Sequence, residues 1–166
     1  RQDRLNMGAT PIGGQNMNLE TFTFDVDSDG LAVASFDVPG RSMNTLTAKA
    51  IADITAITKE VATNDAIKGL VVTSGKSSGF CAGADLGEMN ESAGGGKAAS
   101  EMSEDELLKA AFERGFSLNK TLRELETCGK PVACALNGLA LGGGLEVALA
   151  CHYRVAANDN PKLQFG

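Results

Sequence analysis

The first stretch with a clear pattern is residues 19–38, where apolar and polar side chains alternate. LETFTFDVD alternates, DSDG has the composition of a turn, and LAVASFDV alternates again before Pro39 and Gly40. A period of two residues is typical of a strand with one buried face. Two such runs joined by a short turn predict a β-hairpin.

Two longer stretches have helical periodicity instead. Apolar residues recur three and four positions apart over residues 47–62 and over residues 104–127, a spacing that predicts amphipathic helices. The sequence Gly129-Lys130-Pro131 ends the second helix. The first apolar stripe consists of Leu46, Ile51, Ile54, Ile57 and Val61. The second consists of Leu107, Leu108, Ala111, Phe112, Phe116, Leu122 and Leu125.

Short continuous apolar runs predict buried strands, because such a run has no polar face. Residues 69–73 (GLVVT) and residues 131–136 (PVACAL) are runs of this kind. Residues 145–151 (LEVALAC) predict an apolar helix, and residues 153–157 (YRVAA) predict a further strand. A helix between buried strands predicts a parallel sheet with right-handed crossovers, so the expected fold class is α/β.

Three stretches lie outside these elements. Residues 1–16 show no periodicity and are rich in polar residues and glycine, so we interpret them as an extension or disordered tail, with Met17 as a candidate start. Residues 91–103 (ESAGGGKAASEMS) are poor in hydrophobic residues and predict a mobile surface excursion. The final residues, PKLQFG, contain no signal that ends a domain. We therefore expect residues 17–166 to be a truncated domain.

Charge and aromatic content argue against two classes of protein. The net charge is −6, with one Tyr and no Trp, which lacks the basic and aromatic footprint of a nucleic-acid binder. The apolar runs are shorter than the ~18 residues of a membrane span, and none of them resembles a signal-peptide core that follows a basic start. Any anionic ligand must be held by local donors, because the overall field repels it. We expect a bacterial-type cytoplasmic protein, with the mitochondrial matrix as the less favoured location.

The cysteines do not form a metal or disulfide pattern. Cys81, Cys128, Cys134 and Cys151 contain no C-x-x-C pair, and His152 is the one histidine. This is a poor set of zinc ligands and a poor disulfide framework. We interpret the cysteines as reduced core thiols and His152 as structural, and we expect no metal site.

Glycine is abundant, with 20 of 166 residues, and much of the excess lies in two turns. Residues 79–85 (GFCAGAD) and residues 138–144 (GLALGGG) each follow a predicted buried strand. Glycine permits close backbone approach, and the start of a helix has N–H groups without internal partners. Two converging turns would aim two N–H donors at one oxygen, which is the geometry of an oxyanion hole. The alternative is that both are tight strand-to-helix turns packed against a sheet.

Glu146 follows the second turn directly. It is the only charged residue between Lys130 and His152. Its flanking residues Leu145 and Val147 predict a partly desolvated carboxylate, which suits proton transfer. The alternative is an acid that only complements the dipole at the start of a helix.

Two further residues have weaker interpretations. Residues 75–79 (GKSSG) match the nucleophile elbow of serine hydrolases, with Ser77 as the nucleophile. The elbow requires a helix directly after the serine, whereas small residues and Phe80 follow, and the one histidine, His152, adjoins the apolar helix. We therefore do not favour a hydrolase of this kind. Asp85 is interpreted as a helix cap, with a direct ligand role as the alternative.

Three segments together resemble a known family. Residues 80–86 (FCAGADL) and residues 137–146 (NGLALGGGLE) resemble the two signature segments of the crotonase (enoyl-CoA hydratase/isomerase) family, and residues 39–46 (PGRSMNTL) resemble a third. The resemblance extends from about residue 17 to residue 166. With residues 150–156 (ACHYRVA), the third segment looks most like the N-terminal hydratase domain of alpha subunits of multifunctional fatty-acid oxidation enzymes.

The resemblance implies a fold and a set of site residues. The fold would be a spiral of repeated ββα units, with its C-terminal part missing from this chain. The N–H groups of Ala84 and Gly143 would form an oxyanion hole, and Glu146 would be one of two acids that add water across a 2-enoyl-CoA. The residues expected to line the CoA path are Ala82, Ala84, Asp85 and Leu86.

The resemblance also implies a substrate and partners. The substrate would be an acyl-CoA thioester, with no cofactor in this chain. NAD would enter only with a 3-hydroxyacyl-CoA dehydrogenase domain in the parent protein. The intact protein would be a homo-oligomer or a partner in a β-oxidation complex.

Two departures from the family pattern leave alternatives open. Family members often have a lysine where this chain has Gly87, so a cationic contact to CoA would have to come from elsewhere. The second family acid lies in a segment expected after Gly166, so we expect this chain alone to hydrate poorly. The alternatives are another acyl-CoA reaction of the same superfamily (isomerase, thioester hydrolase or dehalogenase) and a non-catalytic binding module.

Overall fold

A computed structural model describes residues 17–88 and 102–166 of the chain. The described residues form successive ββα units. The first contains β1 (Phe22–Val26), β2 (Leu31–Phe36) and α1 (Ala48–Thr63), and the second contains β3 (Gly69–Ser74), β4 (Gly79–Cys81) and α2 (Glu104–Glu126). The third contains β5 (Val132–Leu136), β6 (Leu139–Ala140) and α3 (Gly143–Ala150), and β7 (Tyr153–Ala156) follows it. The predicted repeat of ββα units is confirmed.

The strands form one large and one small sheet. The large sheet has the order β1-β2-β3-β5-β7, with β1 antiparallel to β2 and every other pair parallel. The small sheet consists of β4 and β6, which pair in parallel. The predicted hairpin and the predicted parallel sheet with helical crossovers are both confirmed.

The core lies between the large sheet and the apolar faces of the helices. The rings of Phe22 and Phe36 stack with their centroids 4.4 Å apart, and Ile54 and Ile57 of α1 are buried in the same cluster. Burial of each large apolar side chain stabilises the fold by about 1.5–3 kcal/mol. This packing makes the sheet a rigid support for the loops that follow its strands.

Helix caps set where α1 and α2 begin. The Thr47 hydroxyl accepts a hydrogen bond from the Ala50 N–H, and Ser103 and Glu106 form a reciprocal capping box. Such caps satisfy N–H groups that have no partner inside the helix. The predicted tail, residues 1–16, and residues 91–101 of the predicted excursion lie outside the described residues.

Two expectations about strands are wrong. Residues 79–81 and 139–140 were expected to lie within turns but form β4 and β6, which are too short to show a two-residue period. β7 was expected to be buried, yet all its residues are exposed, including Tyr153 at 68% and Val155 at 67%. β7 is the edge strand of the large sheet among the described residues, and its side chains are exposed on both faces of that sheet. None of the described helices is both long and apolar enough to cross a membrane.

Candidate active site

The short β4–β6 sheet brings the two glycine turns together. Gly79 pairs with Leu139 and Cys81 pairs with Ala140. The backbones approach so closely that a Cβ atom on Gly138 would lie 2.9 Å from the Gly79 Cα. A side chain at this contact is excluded, which explains why glycine occurs there. The turns therefore lie side by side, at the edge of the large sheet where β3 and β5 end.

The N–H of Ala84 points away from the segment that precedes α1. The Leu46 N–H donates to the Gly83 carbonyl at 2.8 Å, and the Asp85 N–H donates to the Leu46 carbonyl at 3.1 Å. In a trans peptide the C=O of one residue and the N–H of the next point in opposite directions. No cis peptide occurs in the described residues. The Ala84 N–H thus faces the side opposite Leu46.

Gly143 supplies a second N–H beside the first. It is the first residue of α3, and the Gly142 carbonyl accepts the Glu146 N–H at 3.0 Å, so the Gly143 N–H projects from the start of the helix. The Gly143 nitrogen lies 3.6 Å from the position of a Cβ atom built on Gly83. Across residues 17–88 and 102–166, neither the Ala84 nor the Gly143 N–H donates to a protein acceptor. Two N–H groups that find no acceptor in the described part of the chain therefore belong to adjoining backbone segments.

Glu146 lies one turn along α3 from Gly143. A carboxylate oxygen, Oε2, is 3.8 Å from the position of a Cβ atom built on Gly143. The side chain is exposed, so the prediction that Leu145 and Val147 desolvate it is wrong. Val147 is turned into the core instead, because helical geometry separates adjacent side chains by about 100°. The carboxylate is therefore exposed to solvent near Gly143, one helical turn from the start of α3.

Asp85 is buried and bonded within the protein. Its Oδ1 accepts the Glu88 N–H at 3.0 Å, which caps the helical residues 86–88 and confirms the cap prediction. Its Oδ2 accepts the Thr45 hydroxyl at 2.9 Å and contacts the Arg41 guanidinium. The Glu88 N–H, the Thr45 hydroxyl and the Arg41 charge together lower the pKa of the Asp85 carboxyl below its ordinary value.

The other residues expected on the CoA path lie next to Asp85. Leu86 is 73% exposed, and Ala82 is half-buried, with its N–H donated to the Asn44 carbonyl at 2.9 Å. A role for Ala82 and Leu86 in contacting CoA stays a prediction.

Asn44 is a site-organising residue that sequence reasoning did not single out. Its side chain is fully buried; Oδ1 accepts the Val38 N–H, and Nδ2 donates to the carbonyls of Phe36 and Phe80 and to the Ser74 hydroxyl. The amide thus ties the ends of β2 and β3 to β4, which leads into the first glycine turn. The sequence signal that could have identified Asn44 was its position in residues 39–46, the third of the segments that resemble the crotonase family.

The residues of the serine hydrolase alternative lie far apart. Ser77 is exposed, and β4 rather than a helix follows it. The His152 Nδ1 accepts the Val132 N–H at 2.9 Å at the start of β5, whereas the Ser77 loop is bonded near the end of β5, where the Asn137 Nδ2 donates to the Lys76 carbonyl. A strand of this length separates the two by roughly 15 Å. No nucleophile elbow forms at Ser77, and the structural interpretation of His152 is confirmed.

The cysteines are core thiols, as predicted. All four are free; Cys81, Cys134 and Cys151 are buried and Cys128 is half-buried. Burial raises the pKa of the Cys81 thiol to about 11. A thiol that is protonated and enclosed at neutral pH is a packing group rather than a nucleophile. Among the described residues, no cluster of three or more His, Cys, Asp or Glu side chains has metal-binding geometry.

Comparison with family models identifies the protein family to which the chain belongs. Residues 32–161 match the family model described as Enoyl-CoA hydratase/isomerase. The chain belongs to this family. The match includes both glycine turns and Glu146, so the resemblance seen in the sequence is confirmed.

Named relatives and solved structures agree with this membership. The chain is 40% identical over 154 residues to the fatty acid oxidation complex subunit alpha of Shewanella amazonensis, covering 89% of this chain and 20% of that protein. The corresponding Shewanella oneidensis subunit is 38% identical over 153 residues, again with 20% of its length covered. The chain therefore spans about a fifth of these relatives.

Solved structures show the same fold. An enoyl-CoA hydratase from Bacillus anthracis superimposes with a TM-score of 0.67 at 26% identity, covering 88% of this chain and 50% of that chain. An enoyl-CoA hydratase/carnithine racemase from Magnetospirillum magneticum gives a TM-score of 0.72 at 21% identity and covers 89% and 49%. At that identity the second match shows the fold alone. The described residues are thus part of a crotonase fold.

Proposed function

We propose that this chain carries the oxyanion hole and one acid–base group of an enzyme that adds water across a 2-enoyl-CoA. The observation that supports it is the pair of N–H groups of Ala84 and Gly143, which belong to adjoining segments and find no acceptor among the described residues, with the Glu146 carboxylate one helical turn from Gly143. Donors placed where negative charge develops are the main source of rate enhancement in such reactions. The family membership of residues 32–161 supports an enoyl-CoA thioester as the substrate.

The chemistry follows from these three groups. The thioester oxygen would lie between the two N–H donors, and Glu146 would take a proton from the attacking water. As the water oxygen bonds to C3, the electrons of the double bond move toward the thioester oxygen, and C2 then receives a proton. Loss of one oxyanion-hole donor costs roughly 3 kcal/mol in other enzymes, so two donors account for several kcal/mol of the barrier.

The second acid is proposed to come from residues that follow Gly166 in the intact protein. The Gly142 N–H donates to the Gly166 carbonyl at 2.6 Å, and the Gly166 N–H donates to the Ala140 carbonyl at 3.2 Å. Gly166 therefore lies directly beside the second glycine turn. Residues joined to it would begin next to Gly143 and Glu146, which is within reach of the same substrate.

The parent is proposed to be a fatty-acid β-oxidation protein. The support is the 40% identity to a subunit named for the fatty acid oxidation complex. An NAD-dependent 3-hydroxyacyl-CoA dehydrogenase domain, and assembly into an oligomer or complex, are parts of this proposal that belong to the parent rather than to the described residues.

Hydration of crotonyl-CoA tests the proposal directly. The loss of the enoyl absorbance is followed with the longest protein encoded by the reading frame and with the 166-residue chain. We expect the long protein to hydrate and its Glu146→Gln variant to lose about 100-fold or more in kcat, the scale of general acid–base catalysis. The chain alone is expected to hydrate far more slowly.

The half-exposed Glu124 of α2 provides a matched control. Glu124→Gln makes the same substitution in a side chain that is 43% exposed and pairs loosely with Lys120 at 3.8 Å. It should leave hydration unchanged. Full activity of Glu146→Gln would contradict the assignment of Glu146, and binding of the thioester without turnover by the long protein would favour a non-catalytic module. Formation of a shifted double bond or of free CoA would indicate an isomerase or a hydrolase instead.

A further inference from the structure

Asp85 holds together the segment that presents the first oxyanion donor. Its carboxylate is 4% exposed, and both oxygens are bonded: one to the Glu88 N–H, the other to the Thr45 hydroxyl and the Arg41 guanidinium. A buried carboxylate is stable only with such partners, because its desolvation otherwise favours the neutral form. These partners already occupy the two oxygens, which makes Asp85 a poor ligand for an anionic CoA group.

The Asp85 side chain reinforces the backbone bonds that aim the Ala84 N–H. The Asp85 N–H donates to the Leu46 carbonyl at 3.1 Å, and the Leu46 N–H donates to the Gly83 carbonyl at 2.8 Å. The Thr45 hydroxyl, one residue before Leu46, reaches back to the Asp85 carboxylate at 2.9 Å. The segment of Thr45 and Leu46 is thus joined to residues 83–85 both by backbone hydrogen bonds and by the side-chain bond between Thr45 and Asp85. The peptide that carries the Ala84 N–H lies within the joined segment.

Arg41 supplies the charge that this buried carboxylate needs. Its side chain is 47% exposed, and its Nη1 lies 2.5 Å from the Asp85 Oδ2. An ion pair with one buried partner is strongly coupled, because removing the cation leaves the buried charge uncompensated. Arg41 therefore acts on Ala84 through Asp85.

We propose that Asp85, held by Arg41 and Thr45, is a positioning residue that fixes the Ala84 N–H for the oxyanion, rather than a contact to CoA. The inference rests on the proposed function, because it assigns Ala84 to the oxyanion hole. A displacement of about 1 Å in catalytic geometry costs on the order of 100-fold in rate. Loss of a donor that acts mainly in the transition state lowers kcat. Loss of a contact that binds the substrate and the transition state equally raises KM and leaves kcat unchanged.

The test uses the long protein and four variants. Asp85→Asn keeps an acceptor for the Glu88 N–H but sets an amide N–H against Arg41. Arg41→Gln removes the cation from a half-exposed side chain, and Arg41→Lys restores the charge; circular dichroism confirms the fold of each variant before its kinetics are compared. Arg123→Gln is the matched control, because it breaks an exposed pair with Glu126 on α2, with side chains 70% and 52% exposed.

Two readouts separate positioning from binding. The first is the split of kcat and KM for crotonyl-CoA, and the second is the shift of the thioester carbonyl stretch in a bound acyl-CoA, which reports the strength of donation from the oxyanion hole. We expect Asp85→Asn and Arg41→Gln to lose roughly 10- to 100-fold in kcat and to reduce the carbonyl shift, with KM changed less than about threefold. Arg41→Lys should recover most of both, and Arg123→Gln should match the wild type.

Each other result overturns one specific statement. A raised KM with kcat unchanged would make Asp85 or Arg41 a substrate contact and overturn the positioning role. Values for Asp85→Asn and Arg41→Gln equal to those of Arg123→Gln would do the same. If Asp85→Asn does not fold, the kcat, KM and carbonyl shift of the two Arg41 variants decide whether the positioning role holds. A wild-type protein that neither hydrates nor shifts the carbonyl stretch would overturn the proposed function itself, and that failure is recognised before any variant is compared.

Discussion

Gly144 packs directly against Cys81, so that a Cβ atom on Gly144 would lie 2.6 Å from the Cys81 carbonyl oxygen and 2.7 Å from its Cβ. The contact joins the start of α3 to β4. It sets how close the two glycine turns approach, and with them the N–H groups of Ala84 and Gly143. The third glycine of the GGG sequence is therefore a packing requirement, while the N–H of the second is the proposed donor.

Gly144→Ala should both destabilise the fold and disturb the site. The added methyl group meets backbone, which gives little, and overpacking of this kind costs about 1–3 kcal/mol in free energy of unfolding. Urea denaturation measures that loss, and hydration by the long protein should fall in kcat because α3 moves. Gly129→Ala is the control: its φ of +83° strains an alanine, but no atom lies within 4 Å of the added Cβ. It should cost stability and leave kcat unchanged.

Asn44→Ala should cost at least about 2 kcal/mol of unfolding free energy. It leaves the Val38 N–H and the carbonyls of Phe36 and Phe80 without their buried partner, at about 1–3 kcal/mol for each group that stays unsatisfied. Chemical denaturation of the chain measures the change. Asn119→Ala, the same exchange at an exposed position of α2, should stay within about 0.5 kcal/mol. Equal effects of the two substitutions would refute a structural role for the Asn44 amide.

Asp85 should make stability depend on acid pH. Its pKa in the folded chain is lowered, chiefly by the Glu88 N–H and the Thr45 hydroxyl, below the unfolded value of about 3.9. The ionised carboxyl therefore stabilises the fold above about pH 4, and this contribution is lost as the pH falls through the folded pKa. Unfolding measured from pH 6 to pH 2 should show a steeper loss for the wild type than for Asp85→Asn. Parallel curves would show that Asp85 titrates alike in both states.

Thiol labelling should follow burial. Cys81 is fully buried, and its pKa is raised to about 11, so at pH 8 it stays a protonated and inaccessible thiol. Alkylation of the native chain, read by mass spectrometry, should modify the half-buried Cys128 first and leave Cys81 unmodified until denaturant is added. Labelling of Cys81 as fast as Cys128 in the native chain would contradict the packing of Gly144 against it.

The elements that were predictable are those whose signal is local. Alternation over residues 19–38 specifies a hairpin, because one face of each strand must be buried. The stripe of α1 specifies a helix for the same reason, whereas Leu108, Phe112 and Phe116 of the predicted α2 stripe are 63%, 71% and 57% exposed. The observed ends of both helices differ from the predicted ones by one residue or so. Strands as short as β4 and β6 have no period to detect, and their pairing depends on backbones far apart in sequence.

The sequence by itself determined that two glycine turns follow buried strands and that a lone carboxylate, Glu146, comes directly after the second. Only the tertiary structure decided that these turns adjoin and that Glu146 is exposed rather than desolvated. It also decided that Asp85 is committed to Arg41 and Thr45. The physical reason is that burial and hydrogen-bond partners are properties of distant segments brought together, whereas periodicity and turn composition are properties of neighbours along the chain.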